Sequence, residues 1–187
     1  AIPELLAILD DREDGVWHAA TIALAKIGDV STSRRILEEL KQAKPSCHHV
    51  EVLAFMARTS DPATYQKLRN FELARLAALP IDEYLEQVAE RTGIQVKISD
   101  DVPIASLKAI VSGRVSLSGW DALLRGIGAL NYSQYKYTVF IAEGVARVVT
   151  IPEAYRLWEK WLDTHISGPR PEEDKEFQQA GPGYPPQ

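Results

Sequence analysis

Cys47, His48 and His49 stand side by side and are the residues best suited by type to metal or nucleophilic chemistry. A zinc-type site needs its ligands to converge on one point, and successive side chains on a helix point in different directions. His18 or His165 would have to approach from elsewhere in the chain to complete a set, so no metal centre is expected. A Cys–His nucleophile needs thiol and imidazole in hydrogen-bond contact, with a third group orienting the base. Adjacent helix positions do not offer that. The carboxylate pairs Asp10-Asp11, Glu13-Asp14, Glu38-Glu39 and Asp100-Asp101 could exchange protons only in a shared cleft that separates their pKa values. Their places at turns and helix faces predict solvated side chains instead. Gly126 and Gly128 lack the third glycine and the helix start of a phosphate-binding turn. The sequence therefore predicts no catalytic residue, no cofactor and no enzymatic activity.

The remaining candidates would bind rather than react. Trp158 and Trp161 fall on one face of the last helical stretch, and tryptophan is enriched at the energetic centres of interfaces. Packing against the rest of the fold is the competing reading. Tyr135 and Tyr137 share a face if both lie on one strand, with Tyr132 just before it. They are either cross-strand packing or part of an open edge to which a partner adds a strand. If they form a docking face, a charge at Tyr135 or Tyr137 abolishes partner binding and leaves the fold intact.

The 187 residues suffice for one large or two small domains, and 45% hydrophobic with 25% charged residues is ordinary for a globular protein. A formal net charge of -5, with no run of Lys and Arg, excludes the usual nucleic-acid binder. No stretch is long and apolar enough to span a bilayer. One cysteine forbids an intrachain disulfide and leaves the compartment open. The chain opens at Ala1 directly into a helical pattern, which suggests a processed product or part of something longer.

Ile2, Leu5, Leu6 and Leu9 recur at helical spacing. A polar break from Asp10 to Gly15 precedes a second helix with Val16, Ala20, Ala23, Leu24 and Ile27 on one face, stopped by Gly28. Ser31 or Ser33 can cap the next helix, which carries Ile36, Leu37 and Leu40. After Pro45-Ser46, the residues Val50, Leu53, Ala54 and Ala57 supply another apolar face. Gly28-Asp29-Val30 and Ser60-Asp61-Pro62 end two helix pairs at matching places, a spacing typical of helical repeats. Phe71 to Leu76 fits a strand or a continuing helix. Pro80 to Arg91 is a helix with Ile81, Leu85, Val88 and Ala89 inward, and Ile94 to Ile98 alternates as a half-buried strand. Arg114 to Leu117 is a short strand. Trp120 to Leu130 is a helix capped by Ser118, and strands Tyr135 to Ala142 and Val145 to Thr150 meet at the turn Glu143-Gly144. Ile151 to His165 is a last helix, and the Pro- and Gly-rich remainder cannot form its own core. The fold class expected is α+β, divided as helical repeats (1–69), a small α/β domain (70–150), a C-terminal helix (151–166) and an extended tail (167–187).

Two resemblances sharpen this division. The run from Trp17 to Asp29, alanine-rich and closing on Gly28-Asp29, resembles the second helix of a HEAT-like repeat, and the repeat pattern covers about 1–62. Two such repeats need a neighbour on which to bury their faces, either further repeats before Ala1 or the following domain. The run Leu79 to Val96, a helix stopped by Thr92-Gly93 and followed by an alternating strand, looks like the opening of the secretin and TonB short N-terminal (STN) domain. Val115 to Leu124 is similar to its second half. This resemblance covers about 71–150. The segment between Asp101 and Arg114 is longer and more apolar than the usual connection, which suggests an inserted turn of helix. The STN likeness implies work in the periplasm or cell envelope, docking other proteins such as a secretin or pilus subunit, with self-association also open. The expectation is a scaffold module of an envelope assembly. The alternatives are a cytoplasmic HEAT-repeat enzyme or chaperone of the bilin-lyase kind, and an STN-type signalling receptor module.

Overall fold

A computed structural model describes residues 2–8, 14–43, 45–132 and 134–165, which form a mixed α+β architecture. The segment 167–187, expected as an extended tail, lies outside the described residues. The helical half runs α1 (Ile2–Ile8), α2 (Asp14–Ile27), α3 (Val30–Gln42), α4 (Cys47–Phe55), α5 (Ala57–Ser60) and α6 (Pro62–Asn70). Gly28 closes α2 at φ +72, the left-handed conformation that a side chain disfavours. The cap of α3 is Asp29 rather than Ser31 or Ser33: its carboxylate accepts from the Ser31 backbone N–H at 3.3 Å. The Thr32 and Ser33 hydroxyls lie one turn further in and donate to the Asp29 carbonyl at 3.0 and 3.1 Å.

The buried face of α2 also differs from the expected one. Trp17, Ala20, Thr21, Leu24 and Ala25 are inside, whereas Val16 and Ile27 are exposed. Burying the large indole outweighs burying two aliphatic residues, and the Thr21 hydroxyl is satisfied by donating to the Trp17 carbonyl at 2.9 Å.

The second half runs β1 (Glu72–Leu76), β2 (Leu79–Pro80), α7 (Ile81–Thr92), β3 (Gln95–Ile98), α8 (Ile104–Leu107), β4 (Ile110–Val111), β5 (Arg114–Ser118), α9 (Gly119–Leu130), β6 (Tyr137–Ala142), β7 (Val145–Thr150) and α10 (Ile151–His165). The ambiguous segment after Phe71 is a strand, paired antiparallel with β5. β2 pairs antiparallel with β4, and α8 is the turn of helix expected between Asp101 and Arg114. Ser118 caps α9 by accepting from the Asp121 N–H at 3.0 Å. In the three-stranded sheet the order is β3-β7-β6, with β3 parallel to β7 and β7 antiparallel to β6. Glu143 at φ 54 and Gly144 at φ 76 form the tight turn between β6 and β7. The helices α7 and α9 cross closely at Gly126, where a Cβ would stand 2.7 Å from Leu85 Cδ2.

The three-stranded sheet is a middle layer. Strand alternation turns Tyr137, Val139, Ile141, Ala146 and Val148 to one core, shared with Ile81, Tyr84, Leu85, Trp120 and Leu123 of α7 and α9. Phe140 and Val149 face the other way, into a second core with Leu24, Leu40, Leu53, Met56, Trp158 and Leu162. The helices α1 to α4 and α10 thus lie mainly on the sheet's outer face, whereas α6 packs on the inner core, where the Tyr65 ring meets Trp120 at 4.8 Å. Arg34 pairs with Asp163 at 3.1 Å and Lys41 with Glu159, tying α3 to α10. Residues of the segments 1–69 and 70–150 share the inner core, and those of 1–69 and 151–166 share the outer one.

Candidate docking surface

Of the five aromatic residues singled out by the sequence, two are core. Trp158 is fully buried, with the Phe140 ring 5.3 Å away edge-on. Tyr137 is 7% exposed at the start of β6 and packs on the inner core. Neither belongs to an accessible face. Trp161 is half-buried between Trp158, 5.6 Å away, and the His165 ring stacked at 4.1 Å. Tyr135 is 48% exposed and Tyr132 96% exposed, both in the connection before β6 rather than on it.

The strand begins two residues later than expected because Asn131 fixes the connection. Its buried side-chain oxygen accepts from the Lys136 and Tyr137 N–H groups at 2.8 and 3.0 Å, and its amide donates to the Tyr137 carbonyl at 2.7 Å. Tyr135 and Tyr137 therefore do not share a strand face. A charge at Tyr137 would enter the core and disturb the fold.

Cys47, His48 and His49 diverge. Cys47 is exposed, and the His48 ring stacks on His18 at 3.5 Å. His49 is buried, accepting from the Ser46 backbone N–H at Nδ1 (3.1 Å), so its proton sits on Nε2 and is donated to the Leu40 carbonyl at 2.9 Å. Burial lowers the His49 pKa, because a charge there would lose water; the Leu40 and Ala43 carbonyls act against that, and nearby His48 adds to the lowering. His165 stacks on Trp161 in α10 instead of joining this group. No group of three or more His, Cys, Asp or Glu that could hold a metal occurs among the described residues. Of the carboxylate pairs, Asp100 and Asp101 are exposed, and Glu39 pairs with Arg35 at 2.9 Å. Asp10, Asp11 and Glu13 lie outside the described residues.

The feature that single residues did not reveal is the contrast between the two edges of the three-stranded sheet. The β6 edge is sealed. Asn131 takes up the outward N–H and C=O of Tyr137, and the Ser60 hydroxyl donates to the Ile141 carbonyl. Thr138 anchors the strand to α4 through its hydroxyl, which donates to the Val50 carbonyl at 2.9 Å. Asp61 accepts from the Gly144 N–H at 2.8 Å. Burial opposes ionisation of Asp61, but the Thr64 and Gly144 N–H groups outweigh it and hold its pKa below the ordinary value.

The β3 edge is open, with no strand on its outer side among the described residues. The Ser99 N–H donates to the Val148 carbonyl at 2.9 Å, so Gln95, Lys97 and Ser99 direct their backbone groups toward β7. By the same alternation, Val96 and Ile98 direct theirs outward. Beside this edge runs a groove of about 370 Å³ between β3 and α7. Leu85, Ala89, Val96 and Ile98 form its floor, and Asp82, Glu83 and Glu86 its rim. The Asp82 carboxylate accepts from Lys108 Nζ at 2.6 Å, the first cause that lowers its pKa. Ile104 and Ile110, 76% and 63% exposed, add apolar surface on the insertion. The alternation of Ile94 to Ile98 was readable in the sequence, but not which side of the strand would stay unpaired.

Compared with known proteins, the chain matches no family model, no curated protein and no solved structure. No helix among the described residues is long and apolar enough to cross a membrane.

Proposed function

We propose that this chain is a non-enzymatic docking module of a bacterial cell-envelope assembly, of the kind built around a secretin or a pilus. In this reading two HEAT-like repeats are stacked on an STN-like domain. The observation that carries it is the unequal treatment of the sheet edges. The helical half seals β6, while β3 keeps a row of outward backbone groups beside a groove. An unpaired edge is a template for another chain, and folds that do not use such an edge blunt or cover it. From Glu72 to Thr150 three helices, the longer α7 and α9 and the short α8, lie among small sheets, and the STN reading of that segment draws on the two longer ones. The envelope location rests on the same resemblance.

Crosslinking in the source cell with an amine-reactive reagent tests this. Lys97, Lys108 and Lys136 are exposed around the α/β half. Crosslinks from them to a secretin, a pilus component or another envelope subunit support the reading. Recovery of soluble cytoplasmic proteins alone sinks it.

A further inference from the structure

We propose that the β3 edge and its acidic groove bind an extended segment of a partner protein that carries Lys or Arg at alternate positions, added to the sheet as a strand next to β3. This rests on the docking reading above and names the chemistry of the partner.

Three observations converge on it. The outward N–H and C=O groups of Val96 and Ile98 offer main-chain hydrogen bonds to a chain laid alongside, which is the source of affinity in strand addition. Side chains of the added strand alternate in direction, so every second one faces α7. There it meets an apolar floor first, Leu85, Ala89, Val96 and Ile98, and carboxylates beyond it. That sequence of surfaces suits a long aliphatic stem with a cationic head, as in Lys and Arg. Asp82 already holds Lys108. Glu83 and Glu86 form no salt bridge among the described residues, and although Glu83 also acts on Lys108, the three rim carboxylates outnumber that one ammonium.

The same charges select against other occupants. A second copy of this chain, paired edge to edge, would bring its own Glu83 and Glu86 rim toward this one and set Lys97 near Lys97. A polyanion would be repelled by the rim and by the net charge of -5.

The test titrates the full chain with a blocked, fluorophore-labelled peptide alternating lysine and valine, and with its glutamate–valine counterpart. Anisotropy reads affinity, and backbone amide NMR reads the location. The lysine peptide is expected to bind, with its largest shifts at residues 95–98, and the glutamate peptide is not. Glu83→Lys combined with Glu86→Lys should weaken binding about tenfold, because two partly exposed ion pairs are lost. Val96→Pro removes an outward donor and spares the ladder bonds made by its neighbours, so it should abolish binding while the other amide signals stay in place. If that variant unfolds, the double charge reversal still decides. Equal binding of the two peptides, no binding of either, or shifts centred on 131–136 or on Ile104 and Ile110 would overturn the proposal. The two readings fail separately. Envelope crosslinks through Lys136 with no response at β3 would keep the docking reading and remove this one. A β3 response with only cytoplasmic crosslinks would do the reverse.

Discussion

The two edges of one small sheet are treated in opposite ways. At β6 the outward groups of Tyr137 and the carbonyl of Ile141 are taken up by side chains of Asn131 and Ser60, and α4 lies against the strand through Thr138. At β3 the corresponding row faces an open groove. The sealed side is therefore held by many specific interactions. The open side is free to change without disturbing the fold. Stability and binding should separate along this line, with large costs at β6 and its outer layer and small ones at β3.

The largest effect is expected at Trp158, whose indole fills the outer core against Phe140. Trp158→Ala should cost about 3–5 kcal/mol in denaturant unfolding, the usual loss for a buried tryptophan. A cost near zero would show that α10 does not hold the outer face. Next comes Asn131→Ala, which leaves the buried Tyr137 N–H and C=O without their partner. A loss of about 1–3 kcal/mol is expected, together with faster hydrogen exchange at Tyr137. Unchanged exchange would mean that the strand start is fixed by something else. Thr138→Val keeps the shape and removes the bond to Val50, so about 1 kcal/mol should be lost. Ser60→Ala should behave alike.

His49 sits on α4, the helix that seals β6, and its contribution depends on pH. Its folded pKa is lowered below the ordinary 6.5, with burial the leading cause. The unfolded chain then takes up the proton first as pH falls. Stability from the neutral ring is fully present above about 6.5 and declines below it until the lower folded value is reached. His49→Gln should flatten this acid slope in pH-dependent unfolding. A steeper slope in the variant would contradict the buried neutral ring. At the open edge, Lys97→Gln should change stability by no more than about 0.5 kcal/mol, and so should Tyr132→Ser in the exposed connection. A loss beyond 1 kcal/mol at Lys97, measured by the same unfolding assay and set against about 0.5 expected for a surface site, would show the β3 edge to be structural.

Much of the fold was legible because its signals are local. Thr92-Gly93 stops α7, Ser118 caps α9, and Glu143-Gly144 turns β6 into β7, each through backbone chemistry that a few neighbouring residues set. The misreadings came where distant groups compete. Trp17 rotated the buried face of α2 because the core it enters is made partly by later helices. Tyr137 looked like a partner to Tyr135 until Asn131, six residues earlier, held the connection off the ladder. Trp158 looked like a possible anchor because the helix carrying it has an apolar stripe, and a stripe does not say whether its cover lies in the same chain.

By itself, the sequence determined most of the helices, the strands β3, β5 and β7, and that the chain is mixed α+β, while it left Phe71 to Leu76 open and carried no sign of β2 and β4. It also made Asp82, Glu83 and Glu86 a charged stretch of one helix. Only the tertiary structure decided that β3 would lie parallel to β7, that the helical half would seal β6, and that those carboxylates would rim a groove beside an unpaired edge. Caps and turns are settled by interactions a few residues long. Which edge of a sheet stays open depends on contacts between residues as far apart as Val50 and Thr138, or Asp61 and Gly144, and no local pattern carries them.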